Sequence, residues 1–229
     1  MKQPSLLENK IGIIFKDKSL LNNIFIHRSY LNENKRLKLL SNEKLEFLGD
    51  SVLSLITSIH LYKTYKNLEE GDYTDIKSAI VRTESLATAA RKLELGEYLY
   101  LSHGEEKGVG RDNTNIVADC FEALIGAIFL DQGFDKTYIF VNKYLFSDRL
   151  DYIVKNKLYL SPKSRLQETA QIRFHTLPVY QVIRQVGPDH KKLFTIKVFI
   201  NSKPYGQASG MSKKDAEENS AKITLDMLK

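Results

Sequence analysis

Cysteine is almost missing from this chain: Cys120 is the single one among 229 residues. That excludes an intrachain disulfide and any multi-cysteine zinc or iron–sulfur centre, and it fits a reducing, cytoplasmic home. Long apolar runs are missing as well. The longest, Ala123 to Leu130, falls far short of the roughly 20 residues that a spanning helix needs. The N-terminal stretch carries Glu8 and Asp17 where a secretory leader would be apolar, so membrane and secretion readings both fail. No compositional extreme stands out either. Hydrophobic residues make up 42% and charged residues 27%, which excludes a disordered, collagenous or coiled-coil chain and leaves an ordinary globular one.

What is present is unevenly spread. The formal net charge is +6, yet residues 1–160 hold 22 Lys+Arg against 22 Asp+Glu, whereas residues 161–229 hold 12 against 6. All the excess lies in the last third. A basic segment on a neutral body suggests a module that binds a polyanion, since Lys and Arg contacts to phosphates supply most nonspecific nucleic-acid affinity; the alternative is a merely soluble basic domain. The two parts also differ in pattern. Lys44–Tyr62, Asp75–Leu93, Asn115–Leu130 and Phe134–Ile153 place apolar residues three and four apart and contain no proline, which predicts helices. Between them Glu69 to Asp72 and the glycine-rich stretch from His103 to Gly110 read as breakers. After Tyr152 the pattern dissolves, and Ser161-Pro162 then supplies an N-cap and an N1 proline. A helix at about 162–172 is followed by β-like runs at 179–186, 193–200 and 204–209, with turn residues between them, and by a last helix opening at Ser212. The expected architecture is an all-α domain over 1–154, a linker at 155–158, and a small α+β unit of order αβββα over 159–229.

Two acidic groupings could carry chemistry. On a helix Glu43, Glu46 and Asp50 fall at i, i+3 and i+7, one carboxylate stripe beside a core face of Leu45, Leu48, Val52 and Leu55. Asp119 and Glu122 lie at i and i+3 inside an otherwise apolar segment, where carboxylates are rarely left unpaired. The bland reading is a solvated stripe plus salt bridges to a neighbouring helix. The functional one is an all-oxygen cage in which Glu46, Asp50, Asp119 and Glu122 converge from two helices. Hard divalent ions such as Mg²⁺ prefer oxygen ligands, and paired ions sharing carboxylates suit in-line attack on a phosphodiester. In the basic module Lys213 and Lys214 occupy the first turn of the last helix, behind Ser212 in a Ser-x-x-Asp215 cap. Lysines there oppose the helix dipole, a placement that makes sense if a phosphate backbone passes by; otherwise they are two solvated surface lysines.

These residues resemble a known family. Asn42 to Leu53 is similar to the signature motif of ribonuclease III, and His27-Arg28-Ser29-Tyr30 resembles a segment that precedes it. Ala118 to Ala127, followed by Leu130-Asp131-Gln132-Gly133, resembles the family's second acidic helix. Pro162 to Glu168, Gly187-Pro188-Asp189-His190 and Ser212 to Glu217 resemble a double-stranded-RNA-binding domain. The resemblance spans nearly the whole chain in family order. It implies a homodimeric, Mg²⁺-dependent endonuclease, with Mn²⁺ able to substitute and no organic cofactor. Such an enzyme cuts double-stranded RNA to 5′-phosphate and 3′-hydroxyl ends in the processing of ribosomal precursor or messenger RNA. Carried over by position, Glu46, Asp50, Asp119 and Glu122 match the metal ligands, with Asp50 and Glu122 also catalytic, and Glu43 and Glu70 match acidic positions at the edge of the site. Phe47 matches an aromatic at the dimer interface, although a plain core phenylalanine fits the sequence equally well. Gln167, Glu168 and His190 match residues that reach 2′-hydroxyls in a minor groove. Val109 and Asn115 depart from the family's usual glycine and serine.

A double-stranded-RNA-binding regulator without cleavage is the competing expectation. A pure binder would be free to lose Asp50 or Glu122, and this chain keeps all four carboxylates. A metal phosphohydrolase acting on nucleotides leaves the basic module without a task. His60, His103 and His175 lack any partner pattern and read as structural, and His27 reads as a hydrogen-bonded helix residue rather than a general base.

Overall fold

The computed structural model describes residues 2–188 and 192–229, which form two compact units, Met1–Val154 and Lys155–Lys229. Three short helices, α1 (Pro4–Ile11), α2 (Lys18–Asn23) and α3 (Arg28–Glu33), open the first unit. Then follow α4 (Glu43–Thr64), α5 (Glu70–Val81), α6 (Thr83–Lys92), a 3-10 turn at Leu95–Tyr98, α7 (His103–Lys107), α8 (Thr114–Gln132) and α9 (Phe134–Val141). A π turn at Asn142–Phe146 leads into α10 (Ser147–Lys155).

The centre of this unit is α8. Its buried residues run almost without interruption from Ile116 to Ile128, so it is covered on nearly all sides, as expected of a helix that is apolar all round. Helix α4 crosses it at very close range. A Cβ added to Gly49 would lie 1.9 Å from the Glu122 carbonyl oxygen, and one on Gly126 would lie 2.2 Å from that of Leu45. Backbone atoms cannot step aside, so only glycine at both positions permits the contact. The ends of α8 are fixed separately. Asn113 Oδ1 accepts from the Asn115 and Ile116 amides at 3.0 and 3.4 Å. At the other end the Asp131 carboxylate accepts from the Lys16 and Asp17 amides at 2.9 and 2.8 Å.

Four local expectations change. The run from Asp75 to Leu93 is two helices, because Arg82 is extended (φ −65°, ψ 152°) between the β-branched Val81 and Thr83. Glu69 to Asp72 start α5 rather than break it, with Glu69 and Asp72 forming a reciprocal capping box. The glycine-rich loop contains α7, capped by Ser102 Oγ accepting from the Glu105 amide at 3.3 Å. Phe134 to Ile153 is interrupted by the π turn and by Ser147, whose φ is +38°.

The second unit runs α11 (Pro162–Phe174), β1 (Val179–Val186), β2 (Leu193–Ile200), β3 (Lys203–Gly210) and α12 (Lys213–Met227). Its strands form one antiparallel sheet in the order β1-β2-β3, with a bulge in β1 between Val182 and Arg184. Asn201 and Ser202 both take left-handed φ values, 49° and 63°, as a two-residue hairpin of type I′ requires. Along β2 every second residue, Ile196, Val198 and Ile200, is buried, and Val198 and Ile200 join Leu166, Ala170 and Ala221 from the helices in a core of its own.

Candidate metal centre and nucleic-acid interface

The α4–α8 crossing sets the chemistry of the first unit. Glu46, in the first turn of α4, meets Asp119 and Glu122 of α8, and one carboxylate oxygen from each lies within 4.8 Å of the others. All three are half-buried. Among the described residues no Lys or Arg nitrogen comes within 4 Å of any of them, so the salt-bridge reading of Asp119 and Glu122 is not what the structure shows. Burial pushes the Glu122 carboxyl up to about 8, with the charges of Asp50, Asp119 and Glu46 adding to it. Burial likewise raises Asp119, opposed by the nearby charges of His27 and Arg28. Glu46 is raised by burial and then by Asp119 and Glu43. Three crowded, partly desolvated carboxylates without a cation suit a hard divalent ion, and no thiolate or paired imidazole among them favours a softer one.

The remaining expected acidic residues are placed differently. Asp50 is exposed and stands outside the trio, yet it is close enough for its charge to act on Glu122. Glu43 is exposed at the rim, accepting from Ser41 Oγ at 2.7 Å and facing Arg28 Nη1 at 3.5 Å. Glu70 does not reach the site within this chain. It borders an apolar groove with Ile59, Tyr62 and Tyr73 at the far end of α4, about 20 Å along the helix from Glu46 at 1.5 Å per residue. Phe47 is 78% exposed, which excludes the core-phenylalanine alternative, and Leu55 and Tyr62 of the same helix are 53% and 75% exposed.

Sequence reasoning assigned no site role to Arg28, whose charge acts on both Glu46 and Asp119, or to Asn42. The signal for both lay in the quoted motifs. His27 Nδ1 lies 2.7 Å from Ser29 Oγ, which also accepts from the Ser102 amide at 3.1 Å, and this anchoring presents Arg28 at the rim. Buried Asn42 donates from Nδ2 to the Ile24 carbonyl at 3.1 Å, fixing the start of α4. Of the departures from the family pattern, Val109 is exposed in the loop, and Asn115 lies in the first turn of α8, one turn before Asp119.

One consequence is a pH dependence without metal. The folded-state pKa of Glu122 lies above its ordinary value near 4.5, so the native state holds more protons than the unfolded chain between those limits. Stability of the metal-free protein should therefore fall as pH rises from about 4.5 to about 8, and excess Mg²⁺ should restore it. Melting curves across that range in EDTA and in Mg²⁺ check this; a metal-free melting temperature that climbs with pH would contradict it.

In the second unit Ser161 caps α11, its Oγ accepting from the Ser164 amide at 3.2 Å. Gln167 is exposed, and Glu168 pairs with Lys157 at 2.6 Å; both border a groove with Ser164, Gln171 and Leu177. Ser212 Oγ accepts from the Asp215 amide at 3.1 Å, and Lys213 and Lys214 project exposed from the next turn, Lys213 Nζ lying 6.0 Å from the Phe194 ring centroid. Neither lysine has an acidic partner within 4 Å among the described residues. His190 lies outside the described residues.

Comparison with known proteins matches both parts. A family model described as ribonuclease-III-like covers residues 17–149, and one described as a double-stranded RNA binding motif covers 162–228. A protein named Ribonuclease 3 from Pelotomaculum thermopropionicum is 42% identical over 96% of this chain and 91% of its own length. One of the same name from Lactococcus lactis subsp. lactis is 41% identical over 98% and 96%. Among solved structures, the nuclease domain of ribonuclease III from Campylobacter jejuni, described as having structural flexibility in a region involved in dimer formation, superposes with a TM-score of 0.58 at 34% identity. It covers 62% of this chain and 96% of that one.

Proposed function

Since this chain belongs to the ribonuclease III family, we propose that it is a Mg²⁺-dependent, homodimeric endonuclease that cuts double-stranded RNA to 5′-phosphate and 3′-hydroxyl ends in RNA processing. The observation that carries the reading is the half-buried trio of Glu46, Asp119 and Glu122 without a cationic partner. A non-cleaving duplex binder would have no use for it. The trio would hold the metal, with Asp50 completing the ligand set from the exposed side and Glu43 at the edge. A divalent ion there supplies positive charge for the phosphoryl oxygens and eases deprotonation of water. Arg28 adds a fixed cation on the approach side of a polyanionic strand. Phe47, Leu55 and Tyr62 offer an exposed apolar stripe along α4 to a second copy, and the description of the Campylobacter jejuni relative names dimer formation in its nuclease domain. No helix among the described residues is long and apolar enough to cross a membrane. Action in the cytoplasm is part of the proposal, and a single cysteine, buried and free, is compatible with it.

Residues 159–229, beyond a linker at 155–158, would grip the duplex. Gln167, Glu168 and His190 would face the minor groove, and Lys213 and Lys214 the phosphates. Replacing both lysines by Ala should weaken binding to duplexes of every sequence about equally and reduce the slope of log affinity against log salt by about two, one per phosphate contact. Filter binding of two unrelated duplexes across a salt series reads this out, and an altered sequence preference would reassign the lysines to base edges. Incubating the protein with an end-labelled perfect duplex, with and without Mg²⁺, and mapping the termini tests the activity itself. Intact duplex in Mg²⁺ would overturn the proposal.

A further inference from the structure

The helical unit contains a cavity of about 190 Å³ whose border includes Ser85, Thr88 and Lys92 of α6, Lys143 of the π turn, and Ser147 and Arg149 of α10. None of these residues belongs to the acidic site on α4 and α8. Among the described residues three cations line the cavity and no carboxylate does. Among the described residues no carboxylate oxygen lies within 4 Å of Lys92, Lys143 or Arg149.

Arg149 carries most of the argument. It is half-buried, and its Nη2 donates to Ser85 Oγ at 3.3 Å, while fully buried Ser85 donates onward to the Ala79 carbonyl at 3.1 Å. A guanidinium is thus held in a recess by a neutral hydroxyl, with donors to spare. Partly desolvated charge of this kind is costly until an anion meets it. Lys143 Nζ rests 4.9 Å from the Tyr144 ring centroid, a weak contact compatible with a second, anionic partner. Thr88 already donates to the Glu84 carbonyl at 2.7 Å, so its hydroxyl proton is taken and the three cations are the main donors.

The backbone is shaped to this end. In an unbroken helix, six residues would turn Arg149 about 120° away from Lys143. The π turn and the left-handed Ser147 interrupt the helix, and both side chains reach the same cavity. Departures of this kind concentrate at functional sites. The volume is below the roughly 300–1,000 Å³ of sites for whole small molecules, but it suits one tetrahedral anion, and an Arg–Lys set matches the geometry and charge of phosphate. We propose that Lys92, Lys143 and Arg149 form a site for a single phosphate group, delivered as the free anion or as a phosphate of RNA.

The test titrates inorganic phosphate calorimetrically into the full chain in EDTA, comparing wild type, Lys92→Gln/Lys143→Gln, and Lys213→Ala/Lys214→Ala. Both cavity lysines are exposed, so the first variant should fold, and an unchanged melting temperature verifies that. Wild type and the Lys213/Lys214 variant should bind one phosphate per chain alike, and the cavity variant about tenfold or more weakly, the loss expected for charge-assisted hydrogen bonds. Duplex RNA in Ca²⁺ separates the sources. Weaker duplex binding by the cavity variant, with phosphate competing, identifies RNA as the donor of the group; unchanged duplex binding with lost phosphate binding identifies the free anion. If the cavity variant matches wild type toward both phosphate and duplex, the site does not exist.

Discussion

Glu122→Gln should slow duplex cleavage by roughly 10³-fold or more, the several kcal/mol that a divalent ion contributes to transition-state charge stabilisation. The substitution keeps the size and shape of the side chain and removes the charge most strongly opposed by its surroundings. Burial and the neighbouring Asp50, Asp119 and Glu46 already push that carboxyl up to about 8. Without metal the variant should therefore be at least as stable as wild type near pH 8, because a crowded negative charge has gone. The stabilisation by Mg²⁺ expected for wild type should largely vanish. Duplex affinity measured in Ca²⁺ should fall little if the basic unit supplies most of the grip. Excess Mn²⁺ should recover part of the activity, since it tolerates imperfect geometry better than Mg²⁺. Were Glu122 instead the partner of an unseen cation, its loss would lower the melting temperature and reduce cleavage only in proportion to unfolding. A destabilised variant that cuts near the wild-type rate would sink the ligand assignment.

The acidic trio was legible in the sequence because each half of it conflicts with its local context. Asp119 and Glu122 interrupt an apolar helix, and Glu46 stands on a stripe of like charges, so both helices advertise an unmet requirement. How they meet was not legible. The crossing depends on Gly49 and Gly126, whose missing Cβ atoms let α4 and α8 approach to backbone contact, and a lone glycine in a helical pattern carries no such message by itself. One turn beyond Glu46 on the same stripe of α4, Asp50 is more exposed than Glu46, yet its charge acts on Glu122. Glu70 needed tertiary knowledge of a different sort, since only the fold shows that it sits at the opposite end of α4. The helix breaks at Arg82 and Ser147 were hidden for a common reason: apolar spacing continues through both, and the backbone turns where packing, not local propensity, decides. In the second unit the outcome was closer, because proline at N1, period-two burial along β2 and paired turn residues act locally.

Removing residues 159–229 should leave a folded, metal-dependent nuclease that cuts duplex poorly near physiological salt and recovers as salt is lowered. Folding should survive because the two units have separate cores: α8 organises residues of the first, whereas Leu166, Ala170, Val198, Ile200 and Ala221 pack within the second. The exposed stripe of Phe47, Leu55 and Tyr62 stays with the nuclease part, so the truncated chain should also sediment as a dimer if that stripe is the interface. Affinity is where the loss falls. The deleted part holds 12 Lys+Arg against 6 Asp+Glu, and the part that remains is almost neutral. If about six phosphate contacts go with it, affinity should drop roughly 10³-fold at 150–200 mM salt, with a correspondingly shallower salt dependence in what remains. Cleavage at limiting enzyme should fall in parallel, while the maximal rate at saturating duplex and low salt should change little, since the carboxylate trio is intact. Measuring rate against duplex concentration at two ionic strengths separates these effects. A truncated chain that cuts as well as the whole one at 150–200 mM salt, roughly where the electrostatic loss should be large, would show that the nuclease part grips RNA unaided.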